Sequence, residues 1–206
     1  MFDRNTLLCI TSRRLCPGDF LTQVEAIAAA GVGGIVLREK DLSQEEYKAL
    51  GCRVLDLCQR HRTLCILHSF PAAALSLGAE AFHAPLPILR AMPESQRQTF
   101  RILGASCHSA ADALEAQALG CTYLTAGHIF DTPSKPGLPG RGLAFLQNVC
   151  QSVSLPVYAI GGIQAGNAAD VYAAGAYGVC VMGDLMRSGD IPSFLQEFEK
   201  GGSAHG

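Results

Sequence analysis

Two glycine turns stand where a parallel β/α protein commonly holds a phosphate group. Gly161 and Gly162 follow the apolar run 157–160, and Gly183 follows the run 178–182. Glycine lets a phosphate oxygen approach the backbone closely, and the N–H groups of a helix that begins at Gly183 would add donors. The glycines could serve only as tight turns, but their position after the last two runs favours phosphate binding. The predicted phosphate contacts are Gly161, Gly162, Met182 and Gly183.

Four histidines stand at or just after the ends of consecutive apolar runs: His68, His83, His108 and His128. An imidazole titrates near neutral pH, so it can accept a proton from one atom and return it to another. A single histidine at such a place is usually a packing residue, but four of them predict that at least one performs acid–base chemistry. Neutral imidazoles are also common zinc ligands, so a zinc site is an alternative.

Two cationic residues close the run 34–37. Arg38 and Lys40 follow this run directly, with Glu39 between them. A guanidinium or an ammonium group at such a place could bind a phosphate or a carboxylate. An ordinary exposed turn is the alternative interpretation of this segment.

A long segment, 126–142, carries hydroxyl and ammonium groups at its centre. These groups belong to Thr132, Ser134 and Lys135. Loops of this length in a compact domain are usually lids or binding loops. We therefore predict that the three side chains contact an anionic substrate, with a mobile Gly/Pro connector as the alternative.

Positioning these residues together requires a fold that brings the ends of many strands to one rim. Short β-rich apolar runs alternate with segments of helical spacing, and the segments 109–119 and 164–174 each end at a glycine. Strands that are apolar on both faces and separated by helices indicate parallel pairing. Eight such units predict a single parallel (β/α)8 TIM barrel, whose active sites lie at the C-terminal ends of the strands. The predicted strands are 7–11, 34–37, 64–67, 81–84, 102–106, 123–126, 157–160 and 178–182.

An open doubly wound sheet is the alternative fold. It is disfavoured because no Gly-x-Gly-x-x-Gly motif follows the first run. We predict one catalytic domain over residues 1–200 and a frayed tail over 201–206.

Composition narrows the class of protein. Of 206 residues, 49% are hydrophobic and 17% are charged, and the formal net charge is −2. This balance predicts no basic face for nucleic acid and no polybasic membrane anchor, and no apolar run reaches the roughly 18 residues of a membrane span. The N-terminus lacks a secretory pattern, so a cytoplasmic location is expected. The nine cysteines are scattered without a Cys-x-x-Cys pair, which predicts reduced cysteines that pack as small hydrophobes.

Several motifs together resemble the thiamine-phosphate synthase/TenI family. They are Leu-Arg-Glu-Lys at 37–40, Ser-Cys-His-Ser at 106–109, the loop 127–135 and the glycine turn 159–163. The similarity spans nearly the whole chain, and its strongest element is the loop pattern Gly-x-Ile-Phe-x-Thr-x-[Ser/Thr]-Lys. The resemblance implies a barrel of the thiamin pathway whose ligand is a phosphorylated thiazole. It also makes His68, Ser106 and His108 expected substrate contacts.

The departures from the family pattern concern a metal site. Synthases of the family carry an Asn-Asp pair at the end of the third strand and an acidic residue after the fourth, which serve magnesium and a pyrimidine diphosphate. Here the third strand ends in His68-Ser69, and the segment 83–87 contains no carboxylate. Because a departing diphosphate needs a divalent cation held on oxygen ligands, we predict that the magnesium site is absent.

A second departure points to the tautomerase branch. TenI-type thiazole tautomerases have histidine at the positions of His68 and His128, whereas synthases usually have Gly-Pro before Ile-Phe in the loop. The resemblance therefore predicts that His128 aromatises a dihydrothiazole carboxylate phosphate by proton transfer, without a metal or redox cofactor. Gly161, Gly162 and Gly183 would hold the phosphate, and Arg38, Lys40 or Lys135 could face the carboxylate.

Three other functions stay open at this point. One is thiamine-phosphate synthase activity, the second is a non-catalytic regulatory relative that binds thiazole phosphate, and the third is a zinc hydrolase built on the histidines. The predicted partner is a small phosphorylated thiazole, with neither nucleic acid nor membrane as a partner. A homodimer is an option suggested only by analogy with other small barrels.

Overall fold

The computed structural model describes the backbone of residues 6–203 and the side chains up to Phe198. Eight parallel strands form a closed barrel in chain order, and β8 pairs with β1. This closure confirms the (β/α)8 prediction and rules out the open sheet. The strands are β1 (Thr6–Ile10), β2 (Gly34–Leu37), β3 (Cys65–His68), β4 (Ala81–Pro85), β5 (Ile102–Cys107), β6 (Tyr123–Gly127), β7 (Val157–Ile160) and β8 (Gly178–Val181).

Helices cover the outside of the barrel. They are α1 (Phe20–Ala29), α2 (Gln44–Arg60), α3 (Pro71–Ser76), α4 (Leu86–Ala91), α5 (Glu94–Arg97), α6 (Ala110–Ala118), α7 (Gly142–Ser152), α8 (Ala165–Ala173), α9 (Gly183–Arg187) and α10 (Ile191–Ser203), with a short 3-10 turn at Arg13–Leu15. The backbone of 201–203 belongs to α10, and the rest of the predicted tail lies outside the described residues.

Local sequence explains where the helices begin and end. Ser43 and Glu46 form a reciprocal capping box at the start of α2. Just after α6 and α8, Gly120 and Gly175 have positive φ angles of 88° and 98°, which glycine adopts without a side-chain clash. The predicted helix ends at these two glycines are therefore confirmed.

Two apolar regions hold the barrel together. The smaller one lies inside it and contains residues such as Leu8, Ile66, Tyr123 and Tyr158. The larger one lies between the strands and the surrounding helices. All nine cysteines are free and most are buried, which confirms that they pack as small hydrophobes. Within the described part of the chain, no helix has both the length and the apolar character that crossing a membrane requires.

Candidate functional site

A cavity of about 1120 Å³ opens at the C-terminal ends of the strands. Every residue predicted from the sequence to bind or transform the substrate lines it, although these residues come from widely separated parts of the chain. They are Arg38, Lys40, His68, Ser106, His108, His128, Thr132, Ser134, Lys135, Gly161, Gly162, Met182 and Gly183. Their roles stay predictions, but the barrel does bring them to one place.

The glycine turn after β7 lies directly against the loop that follows β6. Gly161 and Gly162 have φ angles of 99° and 66°. A Cβ at Gly161 would overlap the Cβ of His128, and one at Gly162 would lie 2.6 Å from the carbonyl oxygen of Asp131. The N–H of Phe130 donates to the carbonyl of Gly161 at 3.0 Å. Glycine is therefore required here for the close packing of the turn against the loop, and the predicted contact with a phosphate stays a prediction.

The second glycine turn has a cation that the sequence analysis missed. Gly183 begins the short helix α9, and a Cβ there would lie 2.7 Å from a guanidinium nitrogen of Arg187. Arg187 also lines the cavity and pairs with Asp184 at 3.2 Å. The spacing of Gly183 and Arg187 could have indicated this contact, because residues four positions apart lie on the same side of a helix.

His128 is half-buried in the wall of the cavity. Its Nε2 lies 3.2 Å from the carbonyl oxygen of Leu138. Because a carbonyl can only accept, Nε2 carries the hydrogen in this bond, and Nδ1 is then the atom able to accept a proton. The tautomer leaves Nδ1 as the ring's acceptor atom, and the role of His128 as a base stays a prediction.

The long loop is closed by its own hydrogen bonds. The N–H of Gly142 donates to the carbonyl of Ile129 at 2.9 Å, and the N–H of Gly140 donates to Asp131 Oδ1 at 2.7 Å. Thr132, Ser134 and Lys135 lie at its exposed end and line the cavity. These bonds indicate a folded loop rather than a loose connector, and its contact with substrate stays a prediction.

His108 supports this loop. Its Nδ1 lies 2.9 Å from the carbonyl oxygen of Gly127, to which it must donate, and its own carbonyl accepts from Arg141 at 2.9 Å. His108 therefore holds the peptide that precedes His128. Its predicted contact with substrate would use the other ring nitrogen.

Three cations converge on one side of the cavity. Partial burial lowers the pKa of Lys40, and the neighbouring charges of Arg38 and Lys135 lower it further. Like charges held this close favour an anionic ligand that would neutralise them. This agrees with the predicted carboxylate contact, which stays a prediction.

Glu39, between Arg38 and Lys40, points the other way and is only 3% exposed. Its carboxylate accepts from the hydroxyl of Thr11 at 2.8 Å and from the N–H of Arg13 at 3.1 Å. The hydroxyl oxygen of Thr11 in turn accepts the N–H of Arg38 at 2.9 Å. Glu39 and Thr11 therefore fix the backbone that carries the two cations.

We expect Glu39→Gln to lower the free energy of unfolding by about 1–3 kcal/mol. The amide NH2 of glutamine is a donor, and it would face the hydroxyl of Thr11 and the N–H of Arg13, which are donors as well. The substrate KM should rise as well, since Arg38 and Lys40 lose their anchor. Urea unfolding and steady-state kinetics measure both effects, with the exposed Glu197→Gln as the control. Wild-type stability in Glu39→Gln would show that this anchor is dispensable.

Tyr47 joins the ends of β2 and β3 from helix α2. Its buried hydroxyl donates to the carbonyl of Leu37 at 2.6 Å and accepts the N–H of His68 at 2.7 Å. Its ring stacks on Phe70 with centroids 4.3 Å apart. Nothing in the sequence around Tyr47 indicates this contact.

His68 and His83 stack beneath the cavity, with ring centroids 5.5 Å apart. Burial lowers the pKa of both imidazoles, to about 3 for His83 and well below the ordinary value for His68. His68 lines the cavity, whereas His83 lies inside β4 and does not. Both rings are neutral at physiological pH.

The residues present do not fit a magnesium site of the synthase type. The carboxylates that line the cavity are Asp131 and Asp184, and the first is engaged by Gly140 while the second pairs with Arg187. The ends of β3 and β4 offer His68 and Pro85 instead of carboxylates. Among the described side chains, moreover, no three His, Cys, Asp or Glu residues cluster as metal ligands would, so the zinc-hydrolase alternative lacks a ligand set there.

The family model described as TMP-TENI, thiamine monophosphate synthase, matches residues 7–185. The chain belongs to this family. Thiamine-phosphate synthase 2 of Streptococcus pneumoniae is 32% identical over 188 residues, covering 88% of this chain and 87% of the relative. The thiamine-phosphate synthase of Thermus thermophilus is 36% identical over 172 residues, covering 82% of each chain.

Solved structures agree with this assignment. Thiamine phosphate pyrophosphorylase from Pyrococcus furiosus superposes with a TM-score of 0.81 at 30% identity, covering 95% of this chain and 94% of that one. The family member is therefore an enzyme of thiamine biosynthesis. Its relatives are named as synthases, so the comparisons favour the synthase alternative over the tautomerase interpretation that the sequence motifs suggested.

Proposed function

We propose that this family member is a thiazole tautomerase, which aromatises a dihydrothiazole carboxylate phosphate by proton transfer through His128. One observation carries the proposal. The Cβ of His128 packs against the glycine turn at Gly161, where the phosphate is predicted to lie, and both residues line the same cavity, so the imidazole would share that cavity with a bound phosphorylated ring. Among the described residues, moreover, the carboxylates that line the cavity are Asp131 and Asp184, and both already have partners within the protein.

In the proposed reaction, Nδ1 of His128 removes a proton from a ring carbon. The electron pair of the broken C–H bond shifts through the ring to the exocyclic double bond, and the imidazolium returns the proton to the exocyclic carbon. Atoms and charge balance without an oxidant or reductant, and the aromatic product supplies the driving force. A single residue thus acts first as base and then as acid.

The other predicted contacts hold the substrate during this transfer. The phosphate would lie on Gly161, Gly162, Met182 and Gly183, and its carboxylate would face Arg38, Lys40 and Lys135. The polar side chains of His68, Ser106, His108, Thr132 and Ser134 would contact the rest of the substrate. A homodimer and a cytoplasmic location stay predictions.

The second candidate function is thiamine-phosphate synthase, which the names of the relatives favour. It requires neutralisation of a departing diphosphate, normally by a cation on oxygen ligands. The convergent cations at Arg38, Lys40 and Lys135 could neutralise part of that charge. The two functions therefore predict different dependence on magnesium.

Assays of both reactions on one purified sample decide between them. We expect formation of carboxythiazole phosphate to be unchanged by EDTA, because no step of the proposed transfer uses a metal. We expect no thiamine phosphate when pyrimidine diphosphate, thiazole phosphate and magnesium are added. The synthase of Thermus thermophilus provides the positive control. Thiamine phosphate formed at the rate of that control would overturn the proposal, and tight thiazole phosphate binding without either product would indicate a regulatory protein.

A further inference from the structure

A chain of polar side chains runs from the barrel interior to the floor of the cavity. Nδ1 of His83 lies 2.9 Å from the hydroxyl of Tyr123, and Nε2 lies 2.9 Å from Oγ of Ser106. Ser106 lines the cavity, whereas His83 is 3% exposed and Tyr123 is fully buried. The chain therefore connects a buried imidazole to a group that a ligand can touch.

This chain depends on the absence of a side chain at position 104. A Cβ on Gly104 would overlap both the ring of Tyr123 and Nδ1 of His83. The rings of Tyr123 and His83 are tilted by 45° with centroids 5.4 Å apart, and the ring of His68 stacks on His83 at 5.5 Å. The imidazole is thus packed against two rings and has a hydrogen-bond partner at each nitrogen.

Two hydrogen-bond directions are possible in this chain, because either Nδ1 or Nε2 of His83 can carry the hydrogen. The relative donor and acceptor strengths of the groups favour one of them. A neutral imidazole has one N–H donor and one acceptor nitrogen. Burial lowers the pKa of His83 and raises that of Tyr123, so both are neutral at physiological pH. A phenol O–H is a stronger donor than an imidazole N–H, and an imidazole nitrogen is a stronger acceptor than a phenol oxygen. Tyr123 therefore donates to Nδ1, and Nε2–H donates to Ser106.

We propose that His83 is a positioning residue that, together with Tyr123, occupies a lone pair of the Ser106 hydroxyl and leaves its hydrogen free to donate into the cavity. Ser106 then binds an acceptor atom of the substrate, such as the ring nitrogen or a carboxylate oxygen. This part rests on the proposed function, because it takes a thiazole phosphate as the ligand. The hydrogen direction itself does not depend on what the ligand is.

Nitrogen-15 NMR of the wild-type protein with labelled histidine tests the hydrogen direction without any variant. We expect His83 to show an unprotonated Nδ1 and a protonated Nε2. Tyr123→Phe should remove this preference, whereas Tyr158→Phe, a matched change to a neighbouring ring of the same interior cluster, should keep it. A protonated Nδ1 in the wild-type protein would overturn the proposal.

Calorimetric binding of thiazole phosphate tests the effect on the ligand. Ser106→Ala and His83→Leu should each weaken binding by roughly 3- to 10-fold, the size of one neutral hydrogen bond. The double variant should be no weaker than either single variant, and His83→Gln should restore binding because its amide N–H can replace Nε2–H. Inorganic phosphate should bind all of these proteins equally, since it would occupy only the glycine turns.

The outcomes separate this inference from the proposed function. If His83→Leu and Ser106→Ala weaken thiazole phosphate binding additively, or if His83→Leu has no effect, His83 does not position Ser106. If the wild-type protein fails to bind thiazole phosphate at all, the proposed function falls, while the NMR result still decides the hydrogen direction.

Discussion

Replacing His128 with alanine is expected to lower the turnover of dihydrothiazole carboxylate phosphate by about 10²–10⁴-fold, the usual contribution of a single acid–base group. The imidazole is the proposed carrier of the proton in both directions, and no other group is assigned that transfer. Steady-state measurement of carboxythiazole phosphate formation reports the loss. Because His128 transfers a proton rather than binding the phosphate, the affinity for thiazole phosphate should change only a few-fold.

His61→Ala is the matched control for this experiment. His61 lies on the outside of the barrel, where its Nε2 is 3.2 Å from a carboxylate oxygen of Glu25, and it does not line the cavity. Its removal should leave turnover unchanged. If His128→Ala retained wild-type turnover, His128 would have no part in the reaction and the tautomerase proposal would lose its base.

The fold could be predicted because its signals are local and repeated. Each strand is a short apolar run, and the observed strands differ from the predicted ones by about one residue at their ends, as at Cys65–His68 against 64–67. The positions of Gly120 and Gly175 marked two helix ends in the same way. Once eight parallel units are counted, the rim that carries the cavity follows from the topology.

The supporting contacts of the site could not be predicted, since they join residues far apart in the chain. Glu39 stood in the sequence only as the residue between the cations Arg38 and Lys40, but its carboxylate turns inward to Thr11 and Arg13. His83 looked like a member of the cavity rim, but it lies below the floor. In each case the residue type was visible in the sequence, whereas its direction depends on a partner that only the closed barrel brings near.

Gly161→Ala is also expected to lower turnover strongly. The new methyl group would overlap the Cβ of His128 and lie 2.8 Å from its Cα, and the φ angle of 99° is strained for any residue with a side chain. The loop that carries His128 must therefore move away from the glycine turn. A displacement of about 1 Å can cost roughly 100-fold in turnover, and we expect at least that loss together with weaker binding of inorganic phosphate.

Gly166→Ala separates this local effect from a general effect of losing a glycine. Gly166 lies in helix α8, and nothing stands within 4 Å of a Cβ built there. Alanine should therefore raise the free energy of unfolding by about 0.5–1 kcal/mol and leave turnover and phosphate binding unchanged. Calorimetry with inorganic phosphate, urea unfolding and the turnover assay cover both variants. If Gly161→Ala bound phosphate and turned over substrate as the wild type does, the glycine turn would neither hold the phosphate nor position His128, and the site would need a different phosphate contact.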